Sequence, residues 1–539
     1  MSDSFYADVV VVGSGVAGSL LAHRLAANGV DVLLLEAGKP VDRRQAVRSF
    51  WDAPIKVPEC AYEQTPEAMF PRSDKPNQWY EQAGPDPFKS TYLKVLGGTT
   101  WHWLGSAIRL LPSDFKMQTL FGQAVDWPID YATLETYYAQ AEKELGVAGQ
   151  TGHDLGSPRS TDYPLPAIGQ SYCDQVFAKA LETTPYTVDP TPQARNSIDH
   201  DLRPACCGSS SCIPVCPIQA KYDATVHVKK AVKAGARLLS QSTAVELTVN
   251  ENAQIERVRI RRWDRTEATV RAKFFVLACH AIETPRLLLA SRSTGLPNGV
   301  ANRSDQVGRH LMDHPIQLSW ALSGTPVYPY RGPLSTSGIE TLRDGSFRSH
   351  RSAFRIEIGN DGWLWPTGGP QTTAKQLIKS GLRAEALDAA IADETSRQTR
   401  LGSLTEQLPD RNNRVTLDDK SVDFYGVPRP RIHYKIDAYV LDAMAAARDV
   451  HTQIFKRINA SQLQHKTEFE GAGHIMGTTR MGKDPMDSVV DANLMSHDHA
   501  NLMVVSSSVF PTGGTANPTL TIAALSLRAA DHLKQKLRP

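Results

Sequence analysis

The chain has 539 residues, 41% hydrophobic and 22% charged, with a formal net charge of +2. This is globular composition at a length that suggests roughly two to four domains and ample core. The interspersed charges exclude a nucleic-acid surface or acidic tail, and no apolar run reaches the ~18 residues that would predict a membrane span.

The N-terminal MSDSFYADVVVVGSGVAG has no basic leader, twin arginine or cleavage site, so it reads as a folded unit rather than a signal peptide. Val9 to Val12 is a β-branched run suited to a strand buried on both faces. Gly13, Gly15 and Gly18 follow as G-x-G-x-x-G. Leu20, Leu21 and Leu25 then recur at helical spacing, Asn28-Gly29 stops the helix, and Val32 to Leu35 is a second strand closed by Glu36. Gly13 serves the tight turn, Gly15 admits a pyrophosphate to the backbone, and Gly18 lets helix meet strand. The Glu36 carboxylate suits a ribose diol. Alone, such a motif is weak and can be a structural turn. Between two strands, with the acidic residue in place, it predicts a dinucleotide site. It does not choose between NAD and FAD, although an N-terminal position in a long chain favours FAD.

Further along come KVLGGTTWHW (94–103), with Gly98 and His102, and then RPACCGSSSCIPVCPIQA (203–220). The chain has seven cysteines, and an odd count argues against full disulfide pairing. Four of them, Cys206, Cys207, Cys212 and Cys216, form C-C-x4-C-x3-C-P. Adjacent cysteines make a poor disulfide staple, and zinc prefers two separated C-x-x-C pairs. Iron–sulfur segments favour close thiolates ending in Cys-Pro, as at Cys216-Pro217. All three readings remain open from spacing. Cys60, Cys173 and Cys279 read as ordinary buried thiols. FVLACHAIETPRLLLAS (275–291), VGRHLMDHP (307–315) and EQLPDRNNRVTL (406–417) follow. Ile316 to Leu322 and Arg431 to Ile436 alternate with period two and predict strands of an antiparallel sheet, and Asp437 to Ile458 predicts a long helix. In GHIMGTTRMG (473–482), His474 alone reads as a structural histidine. His497 and His499, in SHDH, are too close for a helical metal pair and predict a solvated turn before a strand at Leu502 to Val505. Asn517-Pro518 fits a helix N-cap with proline at the first helical position.

In this order and from end to end, these segments resemble the glucose–methanol–choline (GMC) oxidoreductases. Residues 40–90 and 316–405 match least well, and Cys279-His280 departs from the family's second signature. The cysteine segment is similar to that of the catalytic subunits of bacterial FAD-dependent glucose and fructose dehydrogenases. The resemblance implies an α/β chain, α+β overall, in which a Rossmann-like FAD-binding domain is interwoven with a substrate domain built on an antiparallel sheet with helices. The FAD domain takes 1–45, 90–150, 200–310 and 470–539, and the substrate domain with insertions takes 46–89, 151–199 and 311–469.

The resemblance also implies roles. His474 is the base, and Asn517 orients the substrate hydroxyl. FAD contacts Gly13, Gly15, Gly18, Glu36, Gly98, His102, Asn517 and Thr519, with a covalent bond to His102 or none. A helix starting at Pro518 aims its positive end at the flavin pyrimidine. A 3Fe-4S cluster sits on Cys206, Cys212 and Cys216, with Cys207 as the alternate. The implied reaction is oxidation of a CH–OH group of glucose, fructose, sorbitol or a glycoside, with hydride to flavin N5 and electrons leaving singly to a cytochrome or other acceptor. Implied partners are a small chaperone or export subunit and a multihaem cytochrome c subunit. That predicts a periplasmic location by export with the partner, or a cytoplasmic one without it. Two rivals are an oxygen-reducing sugar oxidase with a structural metal at the cysteines and an electron-transfer subunit whose flavin never meets sugar.

Overall fold

The four-valine run lies at the centre of a sheet. In the computed structural model, which describes residues 3–537, β1 (Asp3–Val12) pairs in parallel with β2 (Val32–Leu35) and β3 (Glu267–Leu277). Val9 to Val11 and Val32 to Leu35 are buried, as parallel strands covered on both faces require. The strand order is Arg237–Leu239, β2, β1, β3, Ile255–Arg262, Ser242–Val249, and Leu502–Val504 joins β3 in parallel. Val12 is in register with Leu35 on one side and Leu277 on the other, so three strands end at one level. α1 (Val16–Ala26) joins β1 to β2 and packs against helix Thr225–Lys233 and the C-terminal helix Thr519–Lys536.

A second sheet is antiparallel. It runs Ser461–His465, β4 (Pro315–Leu322), β5 (Gln398–Thr405), Phe354–Gly359, Ser337–Ile339, Val188–Pro190. Every residue of β4 is buried. Its alternation therefore separates two covered faces rather than core from solvent. Gln317 and Ser319 turn to the helix Ala438–Arg457, where Arg448 donates to Gln317 Oε1 (2.9 Å) and His451 bonds Ser319 (2.7 Å) and Ser403 (2.8 Å). Ile316 and Leu318 point the other way, into a cleft. The long helix starts as expected, with the Asp437 side chain accepting from Val440 N at 3.1 Å.

Two expectations need correction. Arg431 to Ile436 does not join the large antiparallel sheet. Pro428–His433 forms a separate three-stranded sheet with Arg414–Val422 and Glu81–Gln82. Pro428 and Pro430 lack the N–H groups needed for a full ladder on both sides, and Glu81–Gln82 pairs only at Arg431 and Ile432. The turn at 496–499 is not solvated at His499, which is buried. Its Nε2 accepts from Ala301 N (3.2 Å) and its Nδ1 donates to Ala253 O (2.7 Å), pinning neighbouring loops. His497 bonds Ser488 Oγ at 2.9 Å. Among the described residues, no helix is long and apolar enough to cross a membrane.

A buried ion triad ties segments distant in sequence. Arg348 donates to Asp114 (2.7 Å) and Glu406 (2.8 Å), all three side chains being fully enclosed. Replacing Arg348 with methionine strands two carboxylates without water. The expected loss is about 3–5 kcal/mol of stability, measured by chemical denaturation. A variant as stable as the parent would contradict that reading.

Candidate active site

Where β1, β2 and β3 end together, a cleft of about 1040 Å³ opens between the two sheets. The glycine turn forms one end. Gly13 has φ +103°, and a Cβ there would lie 2.5 Å from Ala278 O. A Cβ on Gly18 would lie 1.9 Å from Gly13 O, so helix and strand meet only through glycine. At Gly15 a Cβ would meet nothing within 4 Å, leaving the backbone open to the cleft. α1 begins there with no side-chain cap and no acidic residue in its first turn. Its free N–H groups are available to an anion. Gly98 seals this end, its Cβ position lying 3.3 Å from Gly15 Cα, and Gly97 N donates to Ser14 Oγ at 3.0 Å. Glu36 accepts from Ser14 N (3.1 Å), Ser14 Oγ (2.6 Å) and Gly38 N (2.8 Å), and its burial raises its pKa. The volume, the bare backbone and the uncapped helix start fit a dinucleotide such as FAD.

His474 and Asn517 meet within the cleft wall. Asn517 Nδ2 lies 3.2 Å from His474 Nε2, although the two are far apart in sequence. Asn517 Oδ1 is buried with no partner. The N-cap expectation fails here. Asn517 gives its amide to His474, and the final helix begins at Thr519 with Pro518 before it and no side-chain cap. Pro518 and Thr519 still line the cleft. His474 Nδ1 lies 2.9 Å from His314 Nδ1. The backbone N–H groups of His474 and His314 both donate to Asp313 Oδ1 at 2.8 Å, and Asp313 is also bonded to Ser90. Burial holds the His474 pKa well below the usual imidazole range, helped by His314 and Arg355, and holds His314 down to about 4. Both rings are neutral at pH 7.

His102 ends the short turn Gly98–Trp101 and is buried in the same wall. Its Nδ1 has no hydrogen-bond partner and lies 3.9 Å from Glu59 Oε1, and burial lowers its pKa. Towards the second sheet the lining turns polar, with Glu357, Asp361, Arg400 and Trp365, and Arg400 is paired to Asp361 at 2.8 Å.

Cys206, Cys207, Cys212 and Cys216 line a small pocket with Arg195 and Lys221. None of the seven cysteines is in a disulfide. Cys212 Sγ accepts from Arg195 Nη2 (3.2 Å), Cys206 Sγ from Gly208 N (3.4 Å) and Cys216 Sγ from Lys221 N (3.4 Å). Among the described residues, no three of these sulfurs converge within 4.8 Å. A tetrahedral zinc site with ~2.3 Å bonds would bring them to about 3.8 Å. The sulfurs as they stand present no ready zinc tetrahedron, and the Arg195 guanidinium beside Cys212 favours an anionic thiolate there. Cys207 is the exposed member. Of the scattered cysteines, Cys173 is buried as expected. Cys60 and Cys279 are only partly so, and Cys279 lies in the cleft wall.

Sequence reasoning missed His314, Asp313 and Lys221. The first two stood in VGRHLMDHP, where adjacent Asp and His before a strand were a usable signal. Lys221 is buried, its Nζ donates to the carbonyls of Trp101 and Trp103 on either side of His102, and burial lowers its pKa to about 8.

Two models of the GMC oxidoreductases match the chain, over residues 10–316 and 409–526. The fructose dehydrogenase large subunit of Gluconobacter japonicus is 37% identical, covering 100% of this chain and 99% of that one. Paromamine 6'-oxidase of Streptomyces fradiae is 31% identical, covering 97% and 90%. Among solved structures, a formate oxidase superposes with TM-score 0.67 at 16% identity over 100% of this chain and 99% of its own, a likeness of fold alone. By these matches and by its architecture, the chain belongs to the GMC oxidoreductase family.

Proposed function

We propose that this chain is a FAD-dependent dehydrogenase oxidising a CH–OH group of a sugar or polyol, such as glucose, fructose, sorbitol or a glycoside. The observation that carries this is the His474–Asn517 contact of 3.2 Å in the same cleft as the uncapped start of α1. FAD, held by Gly13, Gly15, Gly18, Glu36, Gly98 and Thr519, supplies the hydride acceptor when bound. His474 Nε2 takes the substrate's hydroxyl proton. Its Nδ1–H donates to neutral His314, which fixes the tautomer and leaves Nε2 basic. Asn517, with Oδ1 unpartnered, orients the hydroxyl. Glu357, Asp361 and Arg400 suit the remaining hydroxyls, and Trp365 offers an apolar ring face. The name of the 37% identical relative supports a sugar substrate.

The pH profile follows from the sign of the His474 shift. A base works only when neutral, and burial keeps His474 neutral below the ordinary value of 6.5. The acid limb of kcat/KM is therefore expected below pH 6.5, measured with a saturating artificial acceptor. A limb at or above 6.5 would contradict the downward shift that burial gives His474.

A 3Fe-4S cluster on Cys206, Cys212 and Cys216, with Cys207 as alternate, supplies a one-electron exit when bound. Lys221 supports this arrangement, since its backbone N–H bonds Cys216 while its Nζ reaches the carbonyls flanking His102. The acceptor is a multihaem cytochrome c or similar protein, assembled with a small export subunit in the periplasm. The words "large subunit" in the relative's name support a multi-subunit enzyme. The oxidase reading has one specific observation behind it, the 31% identical relative named as an oxidase. Acceptor assays separate the two. Sugar-dependent dye reduction without oxygen consumption supports the dehydrogenase, and mediator-free oxygen uptake overturns it. His102 is proposed as the point of flavin attachment. Acid-precipitated protein is expected to keep its yellow colour, and release of all flavin to the supernatant would exclude the bond.

A further inference from the structure

Away from the cleft, three helices bring two imidazoles and a carboxylate together. His23 is in the last turn of α1, Glu144 in the last turn of helix Tyr131–Leu145, and His227 in the first turn of helix Thr225–Lys233. One ligand atom of each lies within 4.8 Å of those of the other two. No other group of three or more metal-ligating side chains among the described residues is so close. His227 Nε2 is 3.0 Å from Glu144 Oε2, and the two imidazole centroids are 5.5 Å apart with planes tilted by 56°. A tetrahedral zinc ion with bonds of ~2.0–2.2 Å holds its donors about 3.3–3.5 Å apart. Small side-chain motions would reach that spacing.

The surroundings also suit a metal. The other nitrogen of His227, Nδ1, is 2.8 Å from Tyr222 Oη, the kind of outer contact that fixes a ligating imidazole. Tyr222 is itself fully buried, with its backbone carbonyl accepting from Trp103 Nε1 at 2.7 Å. Lys230, whose charge reaches both histidines, is engaged with Asp201 at 2.8 Å. In the metal-free arrangement His227 Nε2–H donates to Glu144 at 3.0 Å, so an ion entering there takes the place of that proton, with Nδ1–H then donating to Tyr222 Oη. His23 and Glu144 are partly exposed, which gives an ion a way in.

We propose that His23, Glu144 and His227 bind one divalent transition-metal ion of the zinc class, with water in the fourth position, and that the ion braces the three helices. Two imidazoles and one carboxylate are a donor set such ions take. The proposal is independent of the redox reading, because none of the three residues lines the cleft or the cysteine pocket.

The test uses the full-length, flavin-loaded protein equilibrated with Zn²⁺ and desalted. Zinc content is measured by elemental analysis and the ligand shell by zinc-edge X-ray absorption. The expected result is one zinc with nitrogen and oxygen neighbours and no sulfur, which distinguishes it from zinc at the cysteines. Glu144→Gln preserves size and hydrogen bonding, and His23→Gln alters a partly exposed position. Each is expected to weaken zinc binding by at least ~10–100-fold, the effect seen when even an outer-shell partner is lost. Zinc should raise the unfolding temperature of the parent but not of the variants. No bound zinc, zinc bound only to sulfur, or equal affinity in parent and both variants would each overturn the proposal and leave a His–Glu hydrogen bond between helices.

Discussion

Replacing His474 with alanine is expected to slow sugar-driven flavin bleaching by roughly 100- to 10,000-fold, the usual contribution of a positioned general base. FAD content is expected to stay that of the parent. The residues proposed to hold the dinucleotide lie mainly at the glycine turn, and the backbone N–H of His474, which anchors its loop to Asp313, survives the substitution. The change leaves the His314 and Asn517 side chains short of a partner, a cost of about 1–3 kcal/mol that a protein of this size can absorb. Stopped-flow reduction under argon reads the effect directly. Bleaching at the parent rate would remove His474 from the chemistry. Loss of FAD would instead show that its role is structural.

The second large effect separates the two half-reactions. Cys212→Ser is expected to leave flavin bleaching near the parent rate while delivery to a cytochrome falls by at least the ~100-fold that loss of an outer-shell partner can cause in metal sites. Serine is a poor replacement for a soft thiolate ligand. Serine also puts a shorter, neutral hydroxyl where Arg195 Nη2 now meets sulfur at 3.2 Å, while Nη2 keeps Leu104 O at 3.1 Å. Equal losses in both half-reactions would mean that the cysteine segment serves structure alone, and unchanged delivery to the acceptor would exclude Cys212 from electron exit.

The nucleotide turn was legible because its chemistry is local. Each glycine answers to a backbone contact or an opening that the spacing implies: 2.5 Å at Gly13, 1.9 Å at Gly18, open space at Gly15. The long helix was legible for the same reason, since Asp437 caps it within one turn. The His474–Asn517 contact was not readable from spacing. It joins two loops brought together by the packing of both sheets, and only the family resemblance pointed to it. Asn517 shows why local rules fail at such a place, because a side chain with good capping chemistry is taken by a histidine from another segment. The period of β4 marks a strand, but the helix covering its second face leaves no trace in that period. The Arg348 triad left no signal at all. Its carboxylates come from residues 114 and 406, and nothing near either predicts a shared buried cation.

In the proposed enzyme, sugar oxidation at the His474 end of the cleft is wired to a cluster at the cysteines. The measurement that tests it most directly is an anaerobic absorbance and EPR titration with a panel of sugars, with iron and acid-labile sulfide assayed on the same sample. Flavin bleaching by at least one sugar or polyol is expected, with a changing iron–sulfur signal in the same titration and about three irons and four sulfides per chain. Flavin bleaching in a protein free of iron would contradict the wiring and bring the oxidase reading forward.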